Sequence, residues 1–488
     1  MDAVDVAGQK LLIGGKWTQA STHGTFERRD PFTNRKVTAA AAGTAEDAVR
    51  AVEAAGAAFA GWSSTAPAKR REILTRAADL ISERAPEVAL RMTEEVGGTF
   101  GWGMFNCQLA AGILREAGAQ AYSLIGEVIP SDVPGLTAMG VRQPAGVVAG
   151  MAPWNAPVIL ATRAVATPLA YGNTVVLKAS EKCPRVHAAV VEALVDAGAP
   201  AGAVNFVTHA ADDAPEVVDA LIAHQLVRRV NFTGSTAVGR IVATRCAEHL
   251  KRCLLELGGK APFLVLADAD IGAAADAATF GAFMNSGQIC MSTERIVVDR
   301  SVAPELLEKL EARAAGLVYG DPRDQGTMVG PVVDLGSTER VMELIEDARA
   351  NGADILAGGQ PEGNLIPPTV VANVTPEMRI YSEESFGPVV ATVAVDGVEE
   401  AVRVANDSSY GLAAAVFGAD VDAAWQVARQ IQSGICHVNS ATVHDEPQMP
   451  FGGVKDSGWG RFGGRAALEE FTELRWMSIQ HGERHYPI

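Results

Sequence analysis

Apolar residues recur at spacings of three and four, with charges between them, over 45–60 and again over 67–96. That periodicity predicts amphipathic helices in the first third of the chain. From residue 141 the pattern changes. Short apolar runs at 146–151, 174–177, 204–207 and 229–232 alternate with helical stretches, which predicts a parallel sheet covered by helices on both faces. After Glu256 a second series begins, with apolar runs at 262–266, 295–298, 389–395, 413–417 and 434–439 separated by helical segments such as 304–315 and 337–351. It predicts a second α/β domain. The polar, Gly- and Pro-rich stretch 123–142 reads as a β excursion from the first domain. The stretch 472–480 alternates like a lone strand, for which the sheet edge of another subunit is an expected partner.

A chain of 488 residues exceeds one hydrophobic core, so two or three domains are expected. With 48% hydrophobic and 20% charged residues the composition is that of an ordinary globular protein. A net charge of −17 disfavours nucleic acid and anionic lipid as partners. The most apolar long segment, 147–177, is interrupted by Pro153, Asn155, Pro157, Arg163, Pro168 and Asn173, which excludes a membrane span there. The first ten residues lack a basic region followed by an apolar run, so a cytoplasmic location is expected rather than a secretory one. The six cysteines are scattered, with no CxxC and no zinc-type Cys/His spacing, so no metal site is expected.

Four segments could carry chemistry. In Asn231-Phe-Thr-Gly-Ser-Thr-Ala-Val-Gly239, an apolar strand gives way to a helix through small residues, where backbone N–H groups could approach a pyrophosphate. A plain tight turn is the alternative. Lys178 and Glu181 follow the run 174–177, at the carboxyl end of an expected parallel strand, where such sheets bind ligands. They could hold ribose hydroxyls or be solvated loop charges. Glu256 has apolar neighbours on both sides, which would desolvate it and raise its pKa toward that of a general base. Cys290 lies in Asn285-Ser-Gly-Gln-Ile-Cys-Met-Ser-Thr293, a small, polar context unlike that of most buried structural cysteines.

Together these segments resemble the aldehyde dehydrogenase superfamily, over about residues 12–479. The resemblance rests on Pro153-Trp-Asn155, Leu177-Lys-Ala-Ser-Glu181, Phe232-Thr-Gly-Ser-Thr-Ala-Val-Gly-Arg240, Leu255-Glu-Leu-Gly-Gly-Lys260, Gly287-Gln-Ile-Cys290, Glu383-Glu-Ser-Phe-Gly-Pro388 and Pro450-Phe-Gly-Gly-Val-Lys455. It implies an α/β fold with a modified Rossmann NAD-binding domain (1–122 and 143–256), an α/β catalytic domain (257–470) and a small β oligomerisation flap (123–142 and 471–488). It makes Cys290 the nucleophile, Glu256 the base and Asn155 the oxyanion donor. Trp154, Lys178, Glu181, Gly234, Ser235, Leu257, Glu384 and Phe386 are the implied cofactor contacts, and a homodimer or homotetramer is the implied assembly. A carboxylate at Glu181 accepts from a ribose 2′-hydroxyl and repels a 2′-phosphate, so NAD is expected over NADP.

Within the superfamily the chain most resembles the salicylaldehyde and vanillin dehydrogenase branch, through Pro153-Trp-Asn-Ala-Pro-Val158, Arg163-Ala-Val-Ala-Thr-Pro-Leu-Ala-Tyr-Gly-Asn173 and Thr442-Val-His-Asp-Glu-Pro-Gln-Met-Pro450. A helix is expected after Asn155, bringing Ala156, Leu160 and Arg163 to one face. Small Ala156 leaves room for a flat ring, Trp102 could supply an aromatic wall, and Arg163 could donate to a ring oxygen. The opposing reading makes Arg163 a structural ion pair and Trp102 core. Rival functions are oxidation of an aliphatic aldehyde or semialdehyde, a CoA-acylating reaction, a Cys-dependent esterase or thioesterase, and a non-catalytic structural role.

Overall fold

The computed structural model describes residues 6–488. The first five residues, which the sequence reading includes in its first domain and its N-terminal signal test, lie outside them. Parallel pairing joins the strands Val147–Met151, Thr174–Lys178, Val204–Val207, Val227–Thr233 and Arg252–Glu256. In space the order is 252–256, 227–233, 147–151, 174–178, 204–207, so the direction of winding reverses between 147–151 and 227–233. A crevice opens at such a reversal, outside the carboxyl ends of the two strands. The strand Val147–Met151 is buried at every position, as expected where helices cover both faces of a parallel sheet.

Three further short strands complete this sheet. Leu11–Ile13 and Lys16–Thr18 extend one edge, joined at Gly14 and Gly15, whose φ angles of 58° and 80° suit a tight hairpin turn. Gly458–Trp459, from the stretch assigned by sequence to the catalytic domain, pairs antiparallel with 252–256 at the other edge.

A second sheet takes the order 354–357, 369–372, 389–395, 293–299, 261–265, 413–417, 435–438, parallel except for its first pair. It has its own apolar cores on both faces, around Leu264 and Val297 on one and Phe263 and Ile296 on the other.

Three expectations are corrected. The helical pattern 67–96 is two helices, Pro67–Glu83 and Ala85–Val96. Pro86, in the first turn of the second, cannot donate its backbone nitrogen to a continuing helix. The strand Thr472–Gln480 is not alone: it pairs antiparallel with Leu136–Pro144 of its own chain, which also pairs with Glu127–Ile129. The helix expected directly after Asn155 begins at Pro157, with Ala156 in the capping position. Proline is pre-set for that first helical position, where its missing N–H costs nothing.

Among the described residues no helix is long and apolar enough to cross a membrane. No group of three or more His, Cys, Asp or Glu side chains among them could hold a metal ion, and all six cysteines are free.

Candidate active site

The carboxyl ends of the first sheet deliver four of the candidate groups. Strand 147–151 runs into Pro153-Trp154-Asn155, strand 174–178 into Lys178 and Glu181, and strand 227–233 into Gly234 and Ser235; Glu256 ends strand 252–256. Ser235 caps the helix Thr236–Glu248, its hydroxyl accepting from the Val238 N–H at 3.4 Å, so the helix N-terminus faces the crevice. Opposite, the amino ends of the second sheet deliver the rest. Lys260 precedes strand 261–265, Cys290 precedes strand 293–299, and Glu384 and Phe386 precede strand 389–395.

Two cavities meet between these ends. One, of about 500 Å³, is lined by Trp154, Glu181, Gly234, Ser235, Glu256, Glu384 and Phe386 among others. The other, of about 860 Å³, is walled by Phe100, Trp102, Phe105, Leu160, Phe280 and Phe451, with Ala156 and Arg163 also in its lining. Asn155 and Cys290 line both. An aromatic-walled tunnel and a polar cleft therefore touch at a thiol and an amide.

The loop bearing Cys290 is unusual in its backbone. Asn285, Ser286 and Gly287 lie consecutively in the left-handed region, at φ 50°, 57° and 70°. For residues with a Cβ this costs about 1–2 kcal/mol each, so the loop must be held by its surroundings. It is. The Ser286 hydroxyl donates to the Gly330 carbonyl (2.8 Å), and the Asn285 amide donates to the Asn155 carbonyl (2.9 Å). The Gln288 side chain donates to the Asn285 carbonyl (3.2 Å) and accepts from the Val333 N–H (2.9 Å). A Cβ at Gly287 would sit 1.9 Å from the Gly387 carbonyl oxygen, which restricts that position to glycine.

Asn155 is 6% exposed. Its Nδ2 donates to the Gln288 carbonyl at 3.1 Å, which leaves one of its two amide hydrogens for another acceptor. Its own carbonyl accepts from the Trp102 indole at 3.2 Å. Trp102, stacked on Phe105 with ring centroids 5.4 Å apart, is thus both tunnel wall and brace for Asn155.

Glu256 is 1% exposed, and neither carboxylate oxygen has a hydrogen-bond partner among the described residues. Burial lifts its pKa to about 7, against the opposing pull of the Cys290 thiol and the Arg163 guanidinium. Burial and the neighbouring Glu256 push the Cys290 thiol upward in turn.

In the polar cleft Trp154 meets Phe386 edge-on at 5.7 Å, and the Lys182 ammonium lies 5.2 Å from the centre of the Trp154 ring. Glu384 accepts from the Gly259 N–H at 2.8 Å. Burial and the neighbouring Glu294 raise its pKa to about 7. A Cβ at Gly258 would lie 2.6 Å from the second Glu384 oxygen, so glycine is needed there to seat that carboxylate. Lys178 stands close enough to Glu181 to offset part of its desolvation. Leu257 differs from expectation: its side chain packs on Gly239 in the core behind the cleft and is absent from the cleft's lining.

In the tunnel wall the Arg163 guanidinium donates to both Asp445 oxygens (2.7 and 2.6 Å) and lies 4.0 Å from the centre of the Phe451 ring. The ion-pair reading of Arg163 is therefore realised, while both partners still line the tunnel.

Sequence reasoning missed Asp445 as a site residue, although it lies in a quoted motif, because only the fold brings it to Arg163. It also missed His187. This buried imidazole accepts from the Ser180 N–H at Nδ1 (3.3 Å), so Nε2 carries the proton and donates to the Pro153 carbonyl (3.1 Å). It ties together two loops of the cleft. Burial drives its pKa down to about 3, so it stays neutral at any physiological pH.

The model of the aldehyde dehydrogenase family matches residues 17–477. A vanillin dehydrogenase of Pseudomonas sp. (strain HR199) is 55% identical, over 98% of this chain and 99% of that one. A salicylaldehyde dehydrogenase of Pseudomonas putida is 45% identical, again over 98% and 99%. The crystal structure of a salicylaldehyde dehydrogenase from Pseudomonas putida G7 complexed with salicylaldehyde superimposes with a TM-score of 0.97, at 44% identity, covering 99% of this chain and all of that one.

Proposed function

The chain belongs to the aldehyde dehydrogenase family, which oxidises aldehydes with a nicotinamide dinucleotide, and on that premise we propose that it converts hydroxylated aromatic aldehydes of the vanillin and salicylaldehyde type to their acids, with NAD as oxidant. The observation that carries this reading is the junction of an aromatic-walled tunnel with a polar cleft at Cys290 and Asn155. Flat walls such as Trp102 and Phe451 suit an aromatic ring. The charged pair Arg163–Asp445 gives the same wall a group that can address a ring oxygen.

The cleft's donor set fits a dinucleotide. Gly234, Ser235 and the helix N-terminus they open suit a pyrophosphate, Glu181 one ribose, beside Lys178, which is itself absent from the cleft's lining, and Glu384 the other, with Trp154 and Phe386 beside the ring. The dinucleotide, when bound, supplies the acceptor for hydride. Glu181 favours NAD because its carboxylate repels a 2′-phosphate.

In this scheme the Cys290 thiol gives its proton to solvent, and the thiolate sulfur attacks the aldehyde carbon. The new oxyanion is received by the free Asn155 amide hydrogen and the Cys290 backbone N–H. Donors of this kind contribute roughly 2.7–4 kcal/mol each to the transition state. Collapse of the tetrahedral adduct expels hydride and leaves an acyl thioester on Cys290. Glu256 then removes a proton from water, the hydroxide attacks the thioester, and the acid departs as the thiol is restored. Glu256's unpartnered oxygens suit a group whose partners arrive only with the reaction. A base held at about 7 must lose its proton to act, so turnover should fall as pH drops through that value.

Assembly is a separate part of the reading. The outer edge of strand 472–480 is unpaired among the described residues, and Leu474, Trp476 and Ile479 are exposed along it. We assign this flap to contact with a second copy.

The test of substrate class is a kcat/KM panel of vanillin, salicylaldehyde, benzaldehyde and hexanal with NAD. Hydroxylated rings should exceed hexanal by roughly a hundredfold, within the range that site-specific contacts supply. Equal or better use of hexanal would refute the aromatic assignment.

A further inference from the structure

Three segments of the site are joined behind it by groups that the mechanism leaves unused. Lys260 stands four residues after Glu256, Glu294 four after Cys290, and Ser385 directly after Glu384. The Lys260 ammonium donates to Glu294 Oε2 at 2.8 Å, with the two side chains 0% and 4% exposed. The same carboxylate accepts from the Ser385 N–H (3.1 and 3.2 Å to its two oxygens), the Ser385 hydroxyl (2.5 Å) and the Phe386 N–H (3.1 Å). Phe386 has a φ of 50°, a left-handed backbone that a residue with a Cβ keeps only when held from outside.

A buried ion pair is a poor source of stability, because desolvating two charges offsets most of their attraction. Its strength here is geometric. One carboxylate aligns two successive backbone N–H groups and a hydroxyl from the 384–386 segment, and the buried Lys260 ammonium pairs with it. The anion sits on the strand that begins just after the nucleophile, and the cation on the turn that follows the base.

We propose that Lys260 and Glu294 are positioning residues that lock the Glu384–Phe386 segment against the nucleophile strand, and so set the pose in which the nicotinamide ribose is taken up. The proposal rests on the reading that Glu384 and Phe386 hold that end of the dinucleotide.

The test compares NAD affinity by calorimetry, without aldehyde or turnover, in three variants. Single loss of either charge would strand the other in the interior, so the informative variant is the neutral pair Lys260→Met/Glu294→Gln. In it the Gln carbonyl still accepts from the two N–H groups. NAD Kd should rise roughly tenfold, the scale of a displaced contact segment. Alkylation of Cys290 by iodoacetamide without dinucleotide should stay within about twofold. Ser385→Ala, which removes one donor and no charge, should raise Kd roughly threefold.

The pH dependence of binding adds a readout that a merely structural role would not move. The groups facing Glu384 are Glu294, Lys260, Arg340 and the Gly259 N–H, with Tyr410 and Cys290 nearby. Of the charged ones, Glu294 acts most strongly and raises the Glu384 pKa. NAD binding that needs an ionised Glu384 strengthens as pH rises through about 7 in the unaltered protein, and that midpoint should move to lower pH in the neutral pair.

Unchanged Kd and an unmoved midpoint in the pair, with Glu384→Gln weakening NAD, would overturn the positioning role alone. Unchanged Kd in both the pair and Glu384→Gln would overturn the reading beneath it.

Discussion

The two sheets meet the site with opposite ends. The first offers the carboxyl ends of its strands, and Asn155, Glu181, Ser235 and Glu256 sit where open α/β sheets usually bind ligands. The second offers its amino ends, and Lys260, Cys290 and Glu384 lie in the turns that lead into strands. A rule that searches carboxyl ends finds the proposed cofactor crevice and Glu256, and passes over Cys290. The division also separates kinds of chemistry. The first sheet's side supplies carboxylates, a helix N-terminus and the Asn155 amide. The second supplies a thiol on a loop with three successive left-handed residues, held by hydrogen bonds from its neighbours.

If that division is right, substitutions on the two sides should fail in different ways. Asn155 reaches from the first sheet to the nucleophile loop of the second and should show the largest effect. Asn155→Ala should lower kcat by roughly 10²–10³-fold, the loss seen when one oxyanion donor is removed. NAD affinity by calorimetry should change little. A kcat within threefold of the unaltered protein would remove Asn155 from the oxyanion site.

The tunnel comes next. Arg163→Leu alone would leave Asp445 buried without its partner, a change that destabilises by about 3–5 kcal/mol and would confuse the result. The double variant Arg163→Leu/Asp445→Asn avoids it. Salicylaldehyde and vanillin should lose about 1.5–3 kcal/mol in kcat/KM, the scale of a hydrogen bond to a charged group, and benzaldehyde much less. Equal losses for all three would make the pair a support of the wall rather than a reader of ring hydroxyls.

The smallest effect belongs to the far end of the cleft. Glu181→Thr should raise the NADP-to-NAD ratio of kcat/KM by roughly tenfold, by removing a carboxylate that repels a 2′-phosphate. An unaltered protein that already uses both dinucleotides equally would contradict the role given to Glu181.

The extent to which the sequence discloses all this follows the same division. Long apolar runs such as 147–151 and 389–395 are legible because strands buried on both faces must be apolar throughout. Leu11–Ile13 and Lys16–Thr18 escape because three residues are too few to alternate, although the Gly14-Gly15 pair between them is a hairpin signal. Cys290 and Glu256 are legible as residues out of keeping with their surroundings, and the family resemblance gives them roles. What joins them is not legible. Glu294 reads as an ordinary strand residue until the fold sets Ser385 and Phe386 against it. Arg163 does not disclose Asp445, which lies on a loop 282 residues away. The partner of strand 472–480 lies farther off still, in the stretch that reads from sequence as a polar, Gly- and Pro-rich excursion.

In the proposed mechanism one thiol, fed from the tunnel and read from the cleft, carries the acyl group while Glu256 frees it. Glu256→Gln, mixed with NAD and vanillin and quenched within one turnover, tests this by intact and peptide mass spectrometry alongside NADH absorbance. Steady turnover should fall by roughly 10³-fold or more, as when a residue of a concerted catalytic set is lost. NADH should still form in near proportion to enzyme, with an aroyl adduct on the peptide that contains Cys290. A variant that makes no NADH and carries no adduct would place the role of Glu256 before hydride transfer, and an adduct on any other cysteine would contradict the assignment of the nucleophile.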